Sequence, residues 1–481
     1  MRIVYIDVDS LRPDHMSCYG YHRHTTPHID ALASEGTLFT HVYCEASPCV
    51  PSRASFMSGR FAINHGALTH WGPGGKFYVP SAERYSRRYP FFPRYLREAG
   101  YRTATISSFG DRHQKGWFFA GWSEIHSHTL KMGNEDAPEV NAHVLPWIKA
   151  HGLEENYFLH VQYWDPHGFY SCPDEWAERF ATDPAPSFPD AATIEAQQSD
   201  YHPRSARMFH WAITPNIPAK MPHTISDRHD FERLINGYDG GIAYMDEHVG
   251  QIVAAYRELG IEEEVCFIIS ADHGESFGEQ GLYMEHGMAS ESVHHIPLIM
   301  RLPKGHRRVQ TVDTPLYNVD VMATLVEMVG LAVPPGWDGQ SFFSGLEGQP
   351  FPTRPWLIME HGLYACQRAV RDDQWYFIRT YHPGLVLFPP VALYDIHADP
   401  HQQHNVAADH PDVVAVMDHR LAEWVQQNRD HHGEIPDPME AIMHTGPYRY
   451  LTPQDWAERL RDAGLFEEAE ELLRRGARTL Y

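Results

Sequence analysis

Three short apolar runs in this chain each stop at residues that can carry chemistry. Ile3 to Val8, interrupted by Asp7, ends at Asp9-Ser10. Tyr157 to Tyr163 leads into Trp164-Asp165-Pro166-His167, and Val265 to Ser270 leads into Ala271-Asp272-His273-Gly274-Glu275. Runs of this length and character read as buried strands. Helical patterns separate them: Thr25-Thr26-Pro27 opens one whose Ile29, Leu32 and Ala33 share a face and which Gly36 closes, Phe91 to Glu98 is another, closed by Gly100, and 231–258 is a long third. Residues 37–44 and 101–107 read as further strands. Strands alternating with helices predict an α/β fold, a large mostly parallel sheet flanked by helices on both faces. In such sheets sites form beyond the carboxyl ends of the strands, where Asp9, His167 and Asp272-His273 fall.

Near residue 350 the texture changes. Pro350, Pro352 and Pro355 precede strand-like runs at 356–360, 366–371 and 374–380, then Ala392-Leu393-Tyr394-Asp395. These predict a small antiparallel sheet, followed by an amphipathic helix from Val413 to Gln427 and two short charged helices over 454–475, parted near Gly464. The expected organisation is a catalytic domain over 1–350 and a C-terminal subdomain of antiparallel sheet and helices over 351–481. The polar stretch 183–230 reads as a lid or an insertion. A length of 481 residues suits this division, and 43% hydrophobic with 21% charged residues is a globular composition.

A net charge of −24 argues against a general binder of nucleic acid or of anionic membrane. An anionic substrate must then be drawn in by a local positive site. The cysteines at 18, 44, 49, 172, 266 and 366 show no paired spacing and read as reduced. No stretch approaches the length that spans a bilayer, and Met1-Arg2 runs into Ile3-Val4-Tyr5-Ile6 without a signal-peptide pattern, so the expected location is cytoplasmic.

The densest cluster of chemistry lies in Cys49-Val50-Pro51-Ser52-Arg53, continuing Ala54-Ser55-Phe56-Met57-Ser58-Gly59-Arg60. Pro51 suits the first position of a helix and Gly59 the residue past its end. Residue 49 would then sit at a helix N-terminus, which favours anions, with the Arg53 cation one turn on. Asp9, Asp272 and His273 make the best metal constellation: Ca²⁺, Mg²⁺ and Mn²⁺ take carboxylate oxygens, and Mn²⁺ tolerates His more readily than Ca²⁺ does. Asp7 points to the same strand face as Asp9, and a buried carboxylate needs a partner; a metal, an Arg or a backbone donor each suffices. His167 reads either as a general acid for a leaving alcohol or as part of an Asp-Pro turn. His286 and His70 are candidate cationic contacts to the oxygens of a bound anion, and Arg112-His113 could serve similarly.

The Cys49 run is the signature of type I sulfatases, and the chain resembles these formylglycine-dependent enzymes of the alkaline phosphatase superfamily from end to end. Val8-Asp9-Ser10-Leu11-Arg12-Pro13-Asp14 with Cys18-Tyr19-Gly20 looks like the family's first metal segment, and Thr26 to Ala33 like its following helix. Gly241 to Gly250 looks like the helix before the second metal segment, and Leu393-Tyr394-Asp395, Asp399-Pro400 and His404-Asn405 like a C-terminal family element. The resemblance implies a sulfuric ester hydrolase. Cys49, oxidised by a formylglycine-generating enzyme, attacks sulfur as the aldehyde hydrate, which Arg53 holds. Asp9, Asp272, His273 and residue 49 bind one divalent metal, Ca²⁺ or Mn²⁺ with Mg²⁺ admissible, that polarises the sulfate. His167 protonates the leaving oxygen, His286 and His70 contact sulfate oxygens, and the second hydroxyl of the hydrate then expels sulfate.

Three departures stand out. Ser10 replaces the acidic residue expected after Asp9, so Asp7 becomes a candidate ligand. Ser107-Ser108-Phe109-Gly110 occupies the place of a Gly-Lys-Trp-His element, and His286 replaces the Lys expected before Glu291. Groups that lose their charge near neutrality thus stand for fixed lysines. The same changes resemble the superfamily's phosphonate monoester and phosphodiester hydrolases, which form the alternative reading, alone or in an enzyme that does both. A binding-only homologue is a third, which the joint presence of Cys49, Arg53, Asp9, Asp272 and His273 argues against. The expected substrate is a small sulfated sugar, aryl or alkyl sulfate, with Trp71, Phe77, Tyr78, Trp117, Phe118, Trp122 and Trp176 on candidate wall loops. The C-terminal helices offer a surface for a homo-oligomer.

Overall fold

A computed structural model describes residues 1–78, 88–127, 131, 133–209, 218–306, 311–432, 435–447 and 451–476. The runs predicted as strands form the centre of the main sheet: Arg2–Val8 lies between Tyr157–Tyr163 and Val265–Ala271, parallel to both. Arg102–Ile106 and Glu124–His126 extend it in parallel on one side. On the other side His295–Arg301 runs antiparallel, followed by Thr37–Tyr43 and the short outer strands Thr311–Val312 and Leu316–Tyr317. Every residue of Tyr157–Tyr163 and Val265–Ala271 is buried, as expected of strands covered on both faces. The polar members of these strands are paired: His160 bonds Thr105 Oγ1 at 2.9 Å, and Ser107 Oγ donates to Gln162.

The register decides where the site falls. Val8 is level with both Tyr163 and Ala271, so the chain leaves the three strands at one edge, at Asp9, Trp164 and Asp272. Helices Pro27–Glu35, Phe92–Glu98, Ala137–His151, Arg228–Glu258 and Asn318–Met328 flank the sheet. The first, second and fourth were legible in the sequence. Ala137–His151, which carries Pro146 inside its span, and Asn318–Met328 were not.

The second sheet has the order Val391–Asp395, Trp375–His382, Cys366–Arg371, Leu357–His361 and Ala46–Ser47. Its first four strands are antiparallel as expected, while Ala46–Ser47 pairs in parallel, with Glu360 opposite Ala46 and His361 opposite Ser47. The residues just before Cys49 therefore belong to the C-terminal sheet, a pairing between distant segments that no local pattern announces. Pro411–His432 covers this sheet through Met417 and Leu421, which pack on Ile358, Val370, Phe377 and Leu393. Pro453–Asp462 and Phe466–Gly476 turn at Gly464, and Trp456 Nε1 donates to Tyr201 O at 3.2 Å, tying the C-terminal helices to the polar stretch 183–230. None of the six cysteines is in a disulfide, and no helix among the described residues is long and apolar enough to cross a membrane.

Candidate active site

The helix that carries the nucleophile candidate spans Cys49–Ser58, two residues earlier than Pro51 at its first position would allow. Pro51 instead occupies the third position. A proline fits there because the first four N–H groups of a helix have no partner within it. Gly59 ends the helix at φ +64, as expected, and a Cβ there would run into the Trp337 ring. The whole helix is buried, so Cys49 and Arg53 are held by packing on all sides.

Arg53 reaches across the strand ends. Its Nε donates to Asp7 Oδ2 at 2.8 Å and its Nη1 to Asp9 Oδ2 at 3.0 Å. Nη1 also donates to Asp272 Oδ2. Its remaining nitrogen, Nη2, is buried with no hydrogen bond among the described residues, a donor left for an oxyanion. The rings of Phe109 and Trp164 lie 4.9 Å and 6.0 Å from the guanidinium carbon. The sequence left the partner of Asp7 open among a metal, an Arg and a backbone donor. The structure pairs it with Arg53 and, at 3.3 Å, with His160 Nε2.

Cys49 Sγ lies 3.2 Å from His273 Nε2, while His273 Nδ1 is 2.8 Å from the Gly274 carbonyl. A carbonyl accepts only, so Nδ1 carries the proton and Nε2 is turned to the sulfur. One ligand atom from each of Asp9, Cys49, Asp272 and His273 lies within 4.8 Å of the others. Asp7 stands outside this group. Ser10, in the left-handed region at φ +61, donates Oγ to Asp9 at 2.9 Å and its backbone N to Asp272 at 3.1 Å, so it orients the carboxylates. Ser52 Oγ donates to Asp272 O at 2.7 Å, locking the nucleophile helix to the third strand end.

The charges do not balance. Asp7, Asp9 and Asp272 are buried around the single Arg53 guanidinium. Burial works against the charged form of each; Arg53 together with His160 outweighs it at Asp7, and Arg53 together with His167, His273 and the Ser10 hydrogen bond outweighs it at Asp9, so both stay below the usual carboxylate range. At Asp272 burial wins and pushes the carboxyl up to about 7, with the negative Asp9 adding to it. Buried acids left short of counter-charge are costly. A divalent cation among two carboxylates, an imidazole and residue 49 restores the balance, so this donor set fits a metal.

Three further histidines take different places. His286 stands against His273, with ring centroids 4.4 Å apart, and its Nδ1 meets Glu275 Oε1 at 3.2 Å. His167 packs edge-on against Trp164, and its centroid is 6.2 Å from that of His286. Burial drives its pKa down to about 3, against the pull of Asp9, with Arg112 and the neighbouring histidines adding to the fall. His167 is therefore neutral at rest. His70 accepts the Val50 backbone N–H at 3.4 Å and packs on His113 at 4.7 Å. It thus uses one of the free N–H groups of the nucleophile helix. Arg112 lies over the Trp164 ring at 4.8 Å and donates to Gly133 O at 3.1 Å.

Two features escaped the sequence. Glu275 is buried beside His286 and raised to about 8, chiefly by burial. Ser47 Oγ sits between His294 Nε2 at 3.1 Å and His361 Nδ1 at 2.9 Å, under the nucleophile turn. The position of Glu275 after Asp272-His273-Gly274 was a signal that could have been used; His361 comes from the other sheet and had none.

A nucleophile candidate on a buried helix, facing acids and imidazoles at the carboxyl edge of a parallel sheet, defines a hydrolase of esters of tetrahedral oxyanions. The chain belongs to the sulfatase family: residues 2–331 match that family, and residues 278–429 match the C-terminal part of N-sulphoglucosamine sulphohydrolase. It is 25% identical over 431 residues to an ulvan-active sulfatase of Formosa agariphila, covering 84% of this chain and 76% of that one. It is 21% identical over 519 residues to an N-acetylglucosamine-6-O-sulfatase of Bacteroides thetaiotaomicron, covering 93% and 90%. The solved phosphonate monoester hydrolase from Silicibacter pomeroyi shares the fold, with a TM-score of 0.70 at 21% identity over 90% of this chain and 96% of that one.

Proposed function

We propose that this sulfatase cleaves a sulfate monoester of a sugar, with formylglycine formed from Cys49 as nucleophile and one divalent cation held by Asp9, Asp272, His273 and residue 49. The observation that carries the reading is the approach of those four ligand atoms to within 4.8 Å of one another at the strand edge. The sugar is favoured by the relatives named for ulvan and for N-acetylglucosamine-6-O-sulfate chemistry. When present, the modified residue supplies a hydrated-aldehyde nucleophile and the cation polarises the sulfate.

The chain's own residues do the rest. Arg53 positions residue 49 and offers the unsatisfied Nη2 to an oxygen. Asp9 and Asp272, fixed by Ser10, keep the cationic groups in place. His286, oriented by Glu275, flanks the nucleophile opposite the carboxylates. His167 is neutral at rest, and a bound anion nearby raises its affinity for a proton. It then delivers that proton to the leaving oxygen.

The test is the tryptic mass of residue 49 after co-expression with a formylglycine-generating enzyme, followed by turnover of sulfated sugars, aryl sulfates and alkyl sulfates. Formylglycine at 49, and loss of turnover in Cys49→Ala with an unchanged fold, are expected. Full turnover by protein whose residue 49 is an unmodified Cys refutes the nucleophile. A phosphonate monoester or phosphodiester substrate is the second reading. It is favoured by His286 at the place where the resemblance leads one to expect Lys, and a phosphodiester in the same panel decides it.

A further inference from the structure

We propose that the chain, while Cys49 is still a thiol, holds a soft divalent cation of the zinc type on Cys49, His273 and His286. This goes beyond the sulfatase reading and does not depend on it, since it concerns the encoded cysteine whether or not that residue is later oxidised.

One ligand atom from each of these three residues lies within 4.8 Å of the other two, a group that shares Cys49 and His273 with the one that takes in Asp9 and Asp272 and differs from it by His286. Cys49 Sγ and His273 Nε2 are 3.2 Å apart. Tetrahedral zinc at about 2.3 Å from sulfur and about 2.0 Å from nitrogen sets such atoms about 3.5 Å apart, so the pair needs little adjustment.

Both imidazoles already have the outer support that metal-bound histidines use. His273 Nδ1 meets the Gly274 carbonyl at 2.8 Å, and His286 Nδ1 meets the Glu275 carboxyl at 3.2 Å. Partners of this kind fix the ring and its tautomer.

Ligand chemistry separates this site from the one proposed for the mature enzyme. Sulfur with two imidazoles selects zinc over calcium or magnesium, which want oxygen. The nearby carboxylates are engaged by Arg53, so a cation on the sulfur side leaves those ion pairs intact. In binding, the S–H bond breaks, a sulfur–metal bond forms and the proton passes to solvent. Water or an Asp9 oxygen completes four-coordination. Conversion of Cys49 to formylglycine removes the sulfur and with it the soft site.

The experiment uses full-length protein from a host without the oxidising enzyme, with Cys49 verified by mass and metal removed by chelation. Co²⁺ is titrated as the optical stand-in for zinc. The expected result is about one equivalent bound with a thiolate-to-cobalt absorption in the near ultraviolet and a four-coordinate visible spectrum, displaced by Zn²⁺ but not by excess Ca²⁺. The absorption is lost in Cys49→Ala, and affinity falls about tenfold or more in His286→Gln, each checked for fold by circular dichroism. Absence of the sulfur band in the unsubstituted protein overturns the proposal, and that measurement does not depend on any variant folding. Equal affinity in Cys49→Ala, or an unchanged affinity in folded His286→Gln, overturns it equally. No turnover is read, so failure here leaves the sulfatase reading standing, and failure of the sulfatase reading leaves this one standing.

Discussion

Replacing Arg53 by Met keeps most of the side-chain volume and removes the one cation that Asp7, Asp9 and Asp272 share. Breaking a buried ion pair from one side costs about 3–5 kcal/mol, because the other charge is left uncompensated. Here the orphaned carboxyls have an escape, which is to bind protons. Protonating one costs about 1.4 kcal/mol for each pH unit above its unfolded value near 3.9, so about 1–2 kcal/mol near pH 5 and about 5–6 kcal/mol near pH 8. The sign follows. In the parent, Asp7 and Asp9 are held low by Arg53, and their contribution is present above the unfolded pKa and lost as pH falls through the folded one. In Arg53→Met the strongest opposition to burial is gone, the weaker His160, His167 and His273 remain, and the folded values rise, so stability is present at low pH and lost as pH rises. The deficit relative to the parent should therefore grow by about 4 kcal/mol from pH 5 to pH 8. The assay is the urea midpoint of parent and variant, in chelator, at both pH values. A saturating divalent cation should return part of the loss at pH 8, about 2.7 kcal/mol at a hundredfold excess over Kd. A deficit that is constant with pH, or one below about 1 kcal/mol at pH 8, would refute the view that these acids depend on Arg53 for counter-charge.

Other expectations follow from the same geometry. Asp272, raised to about 7 by burial, stabilises the metal-free protein below the unfolded carboxyl pKa and loses that contribution as pH rises through 7, so the melting temperature in chelator should fall over this range and a bound divalent cation should flatten the fall. His167→Ala should slow esters with poor leaving groups at least tenfold more than activated aryl esters; equal losses in kcat/KM remove His167 from proton delivery. Gly274→Ala drives a Cβ into the Ser292 carbonyl and should destabilise by about 1–3 kcal/mol, with a larger relative loss of turnover because Asp272 and His273 move with it; an unchanged melting curve sinks the argument.

Much of the fold was legible in order of elements. Periodicity and the residues at run ends located the three central strands, three of the five flanking helices and the C-terminal sheet, because these depend on local burial patterns. The helices at Ala137–His151 and Asn318–Met328 were missed, and the start of the Cys49 helix was misplaced by two residues because Pro51 is tolerated anywhere in the first turn.

The candidate site divides in the same way. Cys49, Arg53, Asp9, Asp272, His273, His167 and His286 could be named from the chain, since each sits in a short segment whose residue types declare a chemistry. What each one touches could not. That Asp7 belongs to Arg53 and His160, that His70 serves the helix N-terminus, and that His286 reaches Cys49 depends on register between strands more than a hundred residues apart and on the packing of one buried helix. The pairing of Ser47 with His361 joins the nucleophile turn to a sheet built from the other end of the chain. Residue identity, spacing and periodicity are properties of the sequence alone and determined the class of chemistry and the order of the elements. Distance, burial and shared counter-charge arise only when remote segments meet, and the tertiary structure decided those.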